Sequence, residues 1–132
     1  MTLFIDASAL VSIITGESDS DSLSDRLSSD RDRITSPMAV WESVAAVCKN
    51  RGGTVDDTLA EVERYCTGLN IQLITIGMGE ARAAVLAHAR YGKRSGHPAR
   101  LNMGDCFAYA CAKTNGAKLL YKGDDFIHTD LK

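Results

Sequence analysis

Short apolar runs alternate along this chain with longer stretches in which apolar residues return at helical spacing. Leu3-Phe4-Ile5 is one such run, and Ala9, Leu10, Ile13 and Ile14 recur just behind it, so a strand should feed a helix with Asp6 at the joint. From Gly16 to Arg33 the chain is rich in Ser and Asp, but Leu23 and Leu27 give Asp21 to Leu27 the stripe of a short packed helix. Ile34-Thr35 predicts a second strand. Ser36-Pro37 then supplies an N-cap and a first-turn proline for a helix running to about Asn50, where Gly52-Gly53 ends it. Thr54 and Asp57 resemble a capping arrangement for another helix, striped by Leu59, Val62, Cys66 and Leu69. Ile71 to Ile76 predicts a third strand, Glu80 to Tyr91 an Ala-rich helix, Gly104 to Asn115 a further helix, and Lys118 to Tyr121 a fourth strand. The tail Ile127 to Leu131 is expected to add, at most, an edge strand.

Strands alternating with helices imply an α/β fold on a parallel sheet, and the two successive helices between Ser36 and Gly68 lengthen one crossover. At 132 residues the chain fits a single domain, 1–132. Its 45% hydrophobic and 24% charged residues exclude a disordered or fibrous class, and a net charge of −2 means that any affinity for nucleic acid must rest on local charge. No apolar run approaches the roughly 18 residues of a membrane span, and the N-terminus lacks a signal peptide's regions, so a cytoplasmic protein without membrane attachment is expected. Cys48, Cys66, Cys106 and Cys111 form no CxxC pair and read as buried thiols.

Chemistry enters with the acids. Asp6 follows the first strand, Asp105 lies where a Gly-rich turn becomes a helix, and Asp124-Asp125 follow the last strand; in an open α/β sheet that edge is where ligands bind. Each has a structural use of its own. Asp6 can cap a helix, Asp124-Asp125 can form a turn, and Asp105 can cap too, although Asn102 makes that partly redundant. Glu42 falls near Met38 and Ala45 on an otherwise apolar helix face, where a carboxylate needs a cation, a hydrogen bond or a proton. Together these acids cannot all stay ionised at one edge without compensation. A hard divalent cation, Mg²⁺ or Mn²⁺, is the natural answer, and such a site suits phosphodiester hydrolysis. His88, His97 and His128 are scattered and read as surface or loop residues. Arg82, Arg90, Lys93, Arg94 and Arg100 concentrate just before Asp105; Lys93, Arg94 and Arg100 are candidates for RNA phosphates, and Tyr91 and His97 for stacking on unpaired bases.

Four pieces, Phe4-Ile-Asp6-Ala-Ser8-Ala-Leu10, Trp41-Glu42, Gly96-His-Pro-Ala-Arg-Leu-Asn102-Met-Gly-Asp105-Cys-Phe-Ala-Tyr109-Ala and Leu119-Leu-Tyr-Lys-Gly-Asp124-Asp125-Phe126, occur in an order that resembles the PIN-domain ribonucleases. Within them the chain is similar to the VapC-type toxins of toxin–antitoxin pairs. The resemblance implies a three-layer fold with a central, mostly parallel sheet of four to five strands flanked by helices. It puts Asp6, Glu42 and Asp105 on acidic metal-site positions, Asp6 and Asp105 as direct ligands, and Ser8 as a supporting hydroxyl. Many relatives carry the fourth acid where this chain has Gly123, so Asp124 or Asp125 fills that role; Asp125, directly before Phe126, is favoured. The resemblance further implies a homodimer and an antitoxin that wraps the toxin with an apolar helix and reaches the acids with a basic side chain. Leu23, Leu27, Ile13 and Ile14 offer faces to receive that helix.

The expected function is thus a Mg²⁺- or Mn²⁺-dependent endoribonuclease acting on RNA, the toxin of a type II pair inhibited by its antitoxin. Two other classes compete: an inert PIN-like module that binds RNA or protein without cutting, and a Mg²⁺-binding receiver-like domain. The receiver would need an acidic pair after the first strand, where this chain has Asp6 alone; the inert module would not need four acids together.

Overall fold

The computed structural model describes residues 1–132, in the order β1 (Thr2–Ile5), α1 (Ala7–Thr15), α2 (Ser20–Ser28), β2 (Asp32–Thr35), α3 (Pro37–Arg51), α4 (Val55–Gly68), β3 (Ile71–Leu73), α5 (Met78–Tyr91), α6 (Met103–Thr114) and β4 (Lys118–Leu120). Side-chain caps start four of the helices: Asp6, Ser36, Thr54 and Asn102 each accept a backbone N–H that the first turn leaves unpaired. Gly16 ends α1 at φ 66°, in the left-handed region open to glycine at little cost.

All four strands are parallel and ordered β3-β2-β1-β4. Leu3, Phe4 and Ile5 have no exposed surface, so β1 is covered on both faces, as a central parallel strand requires. Phe4 is level with Ile34 of β2 and Leu119 of β4, and these share one face with α5 and α6, where Ala84, Ala87, Tyr91, Cys106, Ala110 and Cys111 pack. Leu3 and Ile5 turn to the other face and meet Leu10 and Ile14 of α1, Leu27 of α2, Val47 of α3 and Val62 of α4. Helix α3 contributes to both halves, Ala39 to the first and Val44 to the second. The result is the expected three-layer arrangement.

Order matters for function. From β1 the chain builds outward through β2 to β3, then crosses back to lay β4 along the opposite side of β1. The switch in direction therefore lies between β1 and β4, and the crevice beyond their C-terminal ends is where such sheets bind ligands. Asp6 and the turn from Lys122 to Phe126 stand there.

Three expectations need correction. The third strand stops at Leu73, not Ile76: the Ile74 N–H still reaches Thr35 O at 2.9 Å, but β2 ends there and offers Thr75 and Ile76 no partner. The tail adds no strand. Ile127 N donates to Asp124 O and Thr129 N to Phe126 O, short-range bonds that curl the tail around the buried Phe126 ring. Leu23, Leu27 and Ile14 are buried in the core and Ile13 packs against it, so these residues present no free face for an antitoxin helix. Cys66, Cys106 and Cys111 are buried free thiols and Cys48 a half-buried one. No helix is long and apolar enough to cross a membrane.

Candidate active site

The site grows from the end of β1. Leu120 O accepts the Asp6 N–H at 2.9 Å, extending the β1–β4 ladder by one residue before the chain turns into α1. Asp6 is the N-cap of that helix. Its Oδ2 accepts both the Ser8 N–H at 3.0 Å and the Ser8 hydroxyl at 2.5 Å, while Ser8 Oγ accepts the Lys122 N–H at 3.0 Å. One hydroxyl thus ties the end of β1 to the turn after β4. Asp6 is only 6% exposed, and burial pushes its carboxyl above the usual range against the pull of the Ser8 and Ala7 bonds; Asp125 pushes the same way.

Asp105 sits one turn into α6, in a reciprocal capping box: Asp105 N donates to Asn102 Oδ1 at 2.8 Å, and Asn102 N donates to Asp105 Oδ2 at 3.1 Å. Capping by Asp105 is therefore complementary to that of Asn102, not redundant with it. Burial raises its carboxyl to about 6; the Asn102 N–H opposes this, Asp125 and Asp6 reinforce it, and Lys93 lowers it somewhat. Glu42 is half-buried on α3 with no cation paired to it. Its carboxyl is pushed up to about 7, mainly by burial and further by Asp6 and Asp105.

What brings Glu42 to Asp105 is a missing side chain. A Cβ built on Gly104 would fall 2.6 Å from Glu42 Cδ and 2.9 Å from Oε1, inside any tolerable contact. The carboxylate of α3 lies directly against the backbone of the first turn of α6. Sequence reasoning passed over this glycine; the only signal was its place beside Asp105.

Asp124 and Asp125 are both exposed, but they face different neighbours. Asp125 repels Asp6 and Asp105, whereas Asp124 acts on the Tyr121 phenol. The electrostatic group is therefore Asp6, Glu42, Asp105 and Asp125. No three His, Cys, Asp or Glu side chains converge into a ready-made ligand cage. The donor set still fits a hard cation: it offers carboxylate oxygen alone, burial with some repulsion holds Asp6, Glu42 and Asp105 toward their neutral forms, and Mg²⁺ is commonly held by one or two carboxylates with waters and substrate phosphate filling the rest.

Beside the acids, Lys93, Arg94 and Arg100 are exposed and belong to none of the chain's ion pairs, which join Arg26 to Asp30, Arg51 to Glu61, Lys113 to Asp130, and Lys122 to Glu17 and Asp19. Arg100 adopts φ 49°, unusual for a residue with a side chain. The stacking role expected of Tyr91 does not survive. Its ring is 2% exposed, packed edge-on against His97 and Tyr109, and its outer face carries the Arg90 guanidinium at 4.6 Å. His97 is occupied as well, accepting the Ala99 N–H at Nδ1.

Residues 3–132 match the family described as PIN domain. A VapC ribonuclease of Rhizobium meliloti is 39% identical, with 97% of this chain and 98% of that protein covered. Ribonuclease VapC42 of Mycobacterium tuberculosis is 38% identical over 98% of this chain and 97% of its own length. Among solved structures, the Mycobacterium tuberculosis toxin VapC20, titled a sarcin-ricin loop cleaving toxin, superposes with a TM-score of 0.73 at 13% identity, covering 98% of this chain and 96% of that one. A toxin–antitoxin complex from Klebsiella pneumoniae gives 0.67 at 17% identity, over 98% and 93%. At those identities the structures speak for the fold.

Two outcomes follow from the geometry. Because the atoms that a Gly104→Ala methyl group would strike belong to the free end of a side chain, the variant should keep its melting temperature within a few degrees, yet Glu42 must leave its place. Crystal or NMR data showing Glu42 unmoved would contradict the close approach. The second concerns pH. Glu42 titrates at about 7 in the folded chain against an ordinary 4.5, so the folded state keeps a proton that the unfolded chain has released. Its stabilising contribution is complete below about pH 4.5 and is lost as pH rises through about 7. Without metal, stability should fall over that window, and Glu42→Gln should remove on the order of 1 kcal/mol of the fall once solvent screening is allowed for. Urea titrations at several pH values read this directly; parallel curves for both proteins would refute it.

Proposed function

The chain belongs to the PIN domain family, and on that premise we propose that it is a metal-dependent endoribonuclease that hydrolyses RNA phosphodiester bonds and acts as the toxin of a type II toxin–antitoxin pair. The observation that carries this reading is the repulsion of Asp6 and Asp105 by Asp125 and of Glu42 by Asp6 and Asp105 at the switch point of the sheet, with the unpaired Lys93 close to Asp105. The ribonuclease names of its relatives favour cutting over passive binding.

In this reading Asp6 and Asp105 hold Mg²⁺, for which Mn²⁺ can substitute. When bound, such an ion neutralises charge at the phosphoryl oxygens and acidifies water. Ser8 holds Asp6 Oδ2 in position through its hydroxyl and amide. The Asn102 N–H fixes Asp105 in the same way. Glu42, which no protein donor occupies and which titrates near neutrality, takes the proton of the attacking water. Asp125 closes the fourth side of the site from the turn after β4. Lys93, Arg94 and Arg100 contact the phosphates of the incoming strand.

The partners are proposed on the same basis. A groove of about 380 Å³ lined by Ala7, Val11 and Ala46 also borders Ser8, Glu42 and the Lys122–Glu17 ion pair, so an antitoxin segment laid there would carry a basic side chain to the acids. A second copy of the chain would bury Trp41 and Leu86, both 69% exposed.

Purified protein without its partner should cut RNA in Mg²⁺ or Mn²⁺ and stop in EDTA. Asp6→Asn and Asp105→Asn should each abolish cutting while the fold persists, because the amide keeps the size and the capping oxygen of the acid but loses its charge. Undiminished cutting in EDTA, or by either variant, would sink the reading. The basic residues are read by salt. Replacing Lys93, Arg94 and Arg100 together by Ala should lower the log–log salt slope for single-stranded RNA by about 0.7 per contact, roughly two in all. Unchanged affinity and slope would place the RNA elsewhere.

A further inference from the structure

With Tyr91 buried and the half-buried His97 packed edge-on against it, the bases of an RNA held beside the acids need another surface, and the structure has one. A cleft of about 500 Å³ opens between α5 and α6, within the roughly 300–1,000 Å³ typical of small-ligand sites. Val85 and Met103 form its exposed apolar walls, Phe107 and Leu101 its inner surface, and Lys93 and Arg94 its rim. No Asp or Glu lines it. Apolar depth under a cationic rim is complementary to a nucleotide, whose base is flat and poorly hydrated on its faces and whose phosphate is an anion.

The cleft is also continuous with the acid site. Asn102, on its wall, is the cap that bonds Asp105, and Met103 is followed by Gly104, against which Glu42 lies. Lys93, on its rim, is close enough to Asp105 to favour its ionised form. A phosphate placed between Lys93 and Asp105 would leave its neighbouring base at the mouth of the cleft. We propose that the α5–α6 cleft receives an unpaired RNA base adjoining the scissile phosphate, with Val85, Met103 and Phe107 as its apolar surface and Lys93 and Arg94 on the flanking phosphate. His88 and Asn102, the polar groups on its wall, are placed to discriminate among bases.

This site rests on the ribonuclease reading, but its test is separable from it. Binding is measured by fluorescence anisotropy in the Asp105→Asn background, with single-stranded dodecamer RNAs and an abasic dodecamer that retains every phosphate. Base stacking is worth roughly 1–3 kcal/mol per base, about 5- to 150-fold, so intact RNA should bind at least 5-fold more tightly than abasic RNA. Two variants challenge the cleft: Ala81→Phe, which plugs it, and Val85→Ser with Met103→Ser, which strips its exposed walls without touching the buried core. Both should bring the intact-to-abasic ratio close to one while abasic affinity, set by the cations, stays the same.

An unchanged ratio in both variants would overturn the cleft even if the wild type cuts RNA. A ratio that collapses as expected would uphold it even if no cutting is seen, in which case only the nuclease reading falls. A third outcome also overturns it: sedimentation showing a wild-type dimer that both variants convert to monomers, with the ratio intact, would assign the cleft to a second copy of the chain.

Discussion

Asp6 lies almost wholly out of water at the end of the most buried strand, and an ionised carboxylate there carries a large desolvation cost unless something offsets it. The chain offsets part of it locally, with two donors from Ser8 and the first turn of α1. It then adds to the cost by bringing Glu42, Asp105 and Asp125 within range of repulsion. Nothing in the packing of the sheet demands this. Leu3, Phe4 and Ile5 would fill the same two half-cores whichever cap followed them. Burial and repulsion at these acids lower folding stability, and hydrogen bonds from Ser8 and Asn102 limit how far Asp6 and Asp105 can retreat from the others.

The architecture was legible because its signals are local and agree with one another. Ser36-Pro37, Thr54 with Asp57, and Gly52-Gly53 mark helix ends through the chemistry of unpaired backbone groups, so element types follow from short stretches of sequence. Alternation of strand and helix then admits little besides a parallel sheet. The misreadings came from non-local pairing. Ile74 and Ile76 have the composition of a strand but lie beyond the end of β2, and Ile127 to Leu131 curl because Phe126 anchors the tail in the core. A one-dimensional pattern contains neither the length of a partner strand nor the direction of an anchor.

The site was legible in its residue types and less so in its contacts. Asp6 and Asp105 drew notice by their places at a strand end and a helix start, and Glu42 by its charge on an apolar helix face; burial raises the carboxyl pKa of all three. Asp125 was favoured over Asp124 only for its place directly before Phe126, since adjacent residues of one turn differ in direction; in the structure Asp125 acts on Asp6 and Asp124 on Tyr121. Gly104 lay outside reach altogether. Its importance is the space it leaves for a side chain from another helix, and that space has no sequence signature. Tyr91 was misjudged for the opposite reason: an aromatic beside a basic loop suggests a stacking platform, yet the ring supports the loop from below.

Lys122 separates the remaining readings. A receiver-like domain would aim a late-strand lysine at its acidic pocket, and this chain does have a lysine just past β4. Its amide reaches Ser8 and so helps hold the site, but its ammonium is paired with Glu17 and Asp19, and Lys122 and Glu17 line the groove that also borders Ser8 and Glu42. None of Asp6, Glu42, Asp105 and Asp125 belongs to an ion pair. An inert scaffold under no demand for catalysis could relieve the repulsion by one rotation of that side chain, or by replacing any one acid with its amide. This chain does neither: it pairs Lys122 with two other carboxylates and keeps four acids at the site. That arrangement costs stability while the carboxyls stand uncompensated, a cost that any positive charge placed among them would offset.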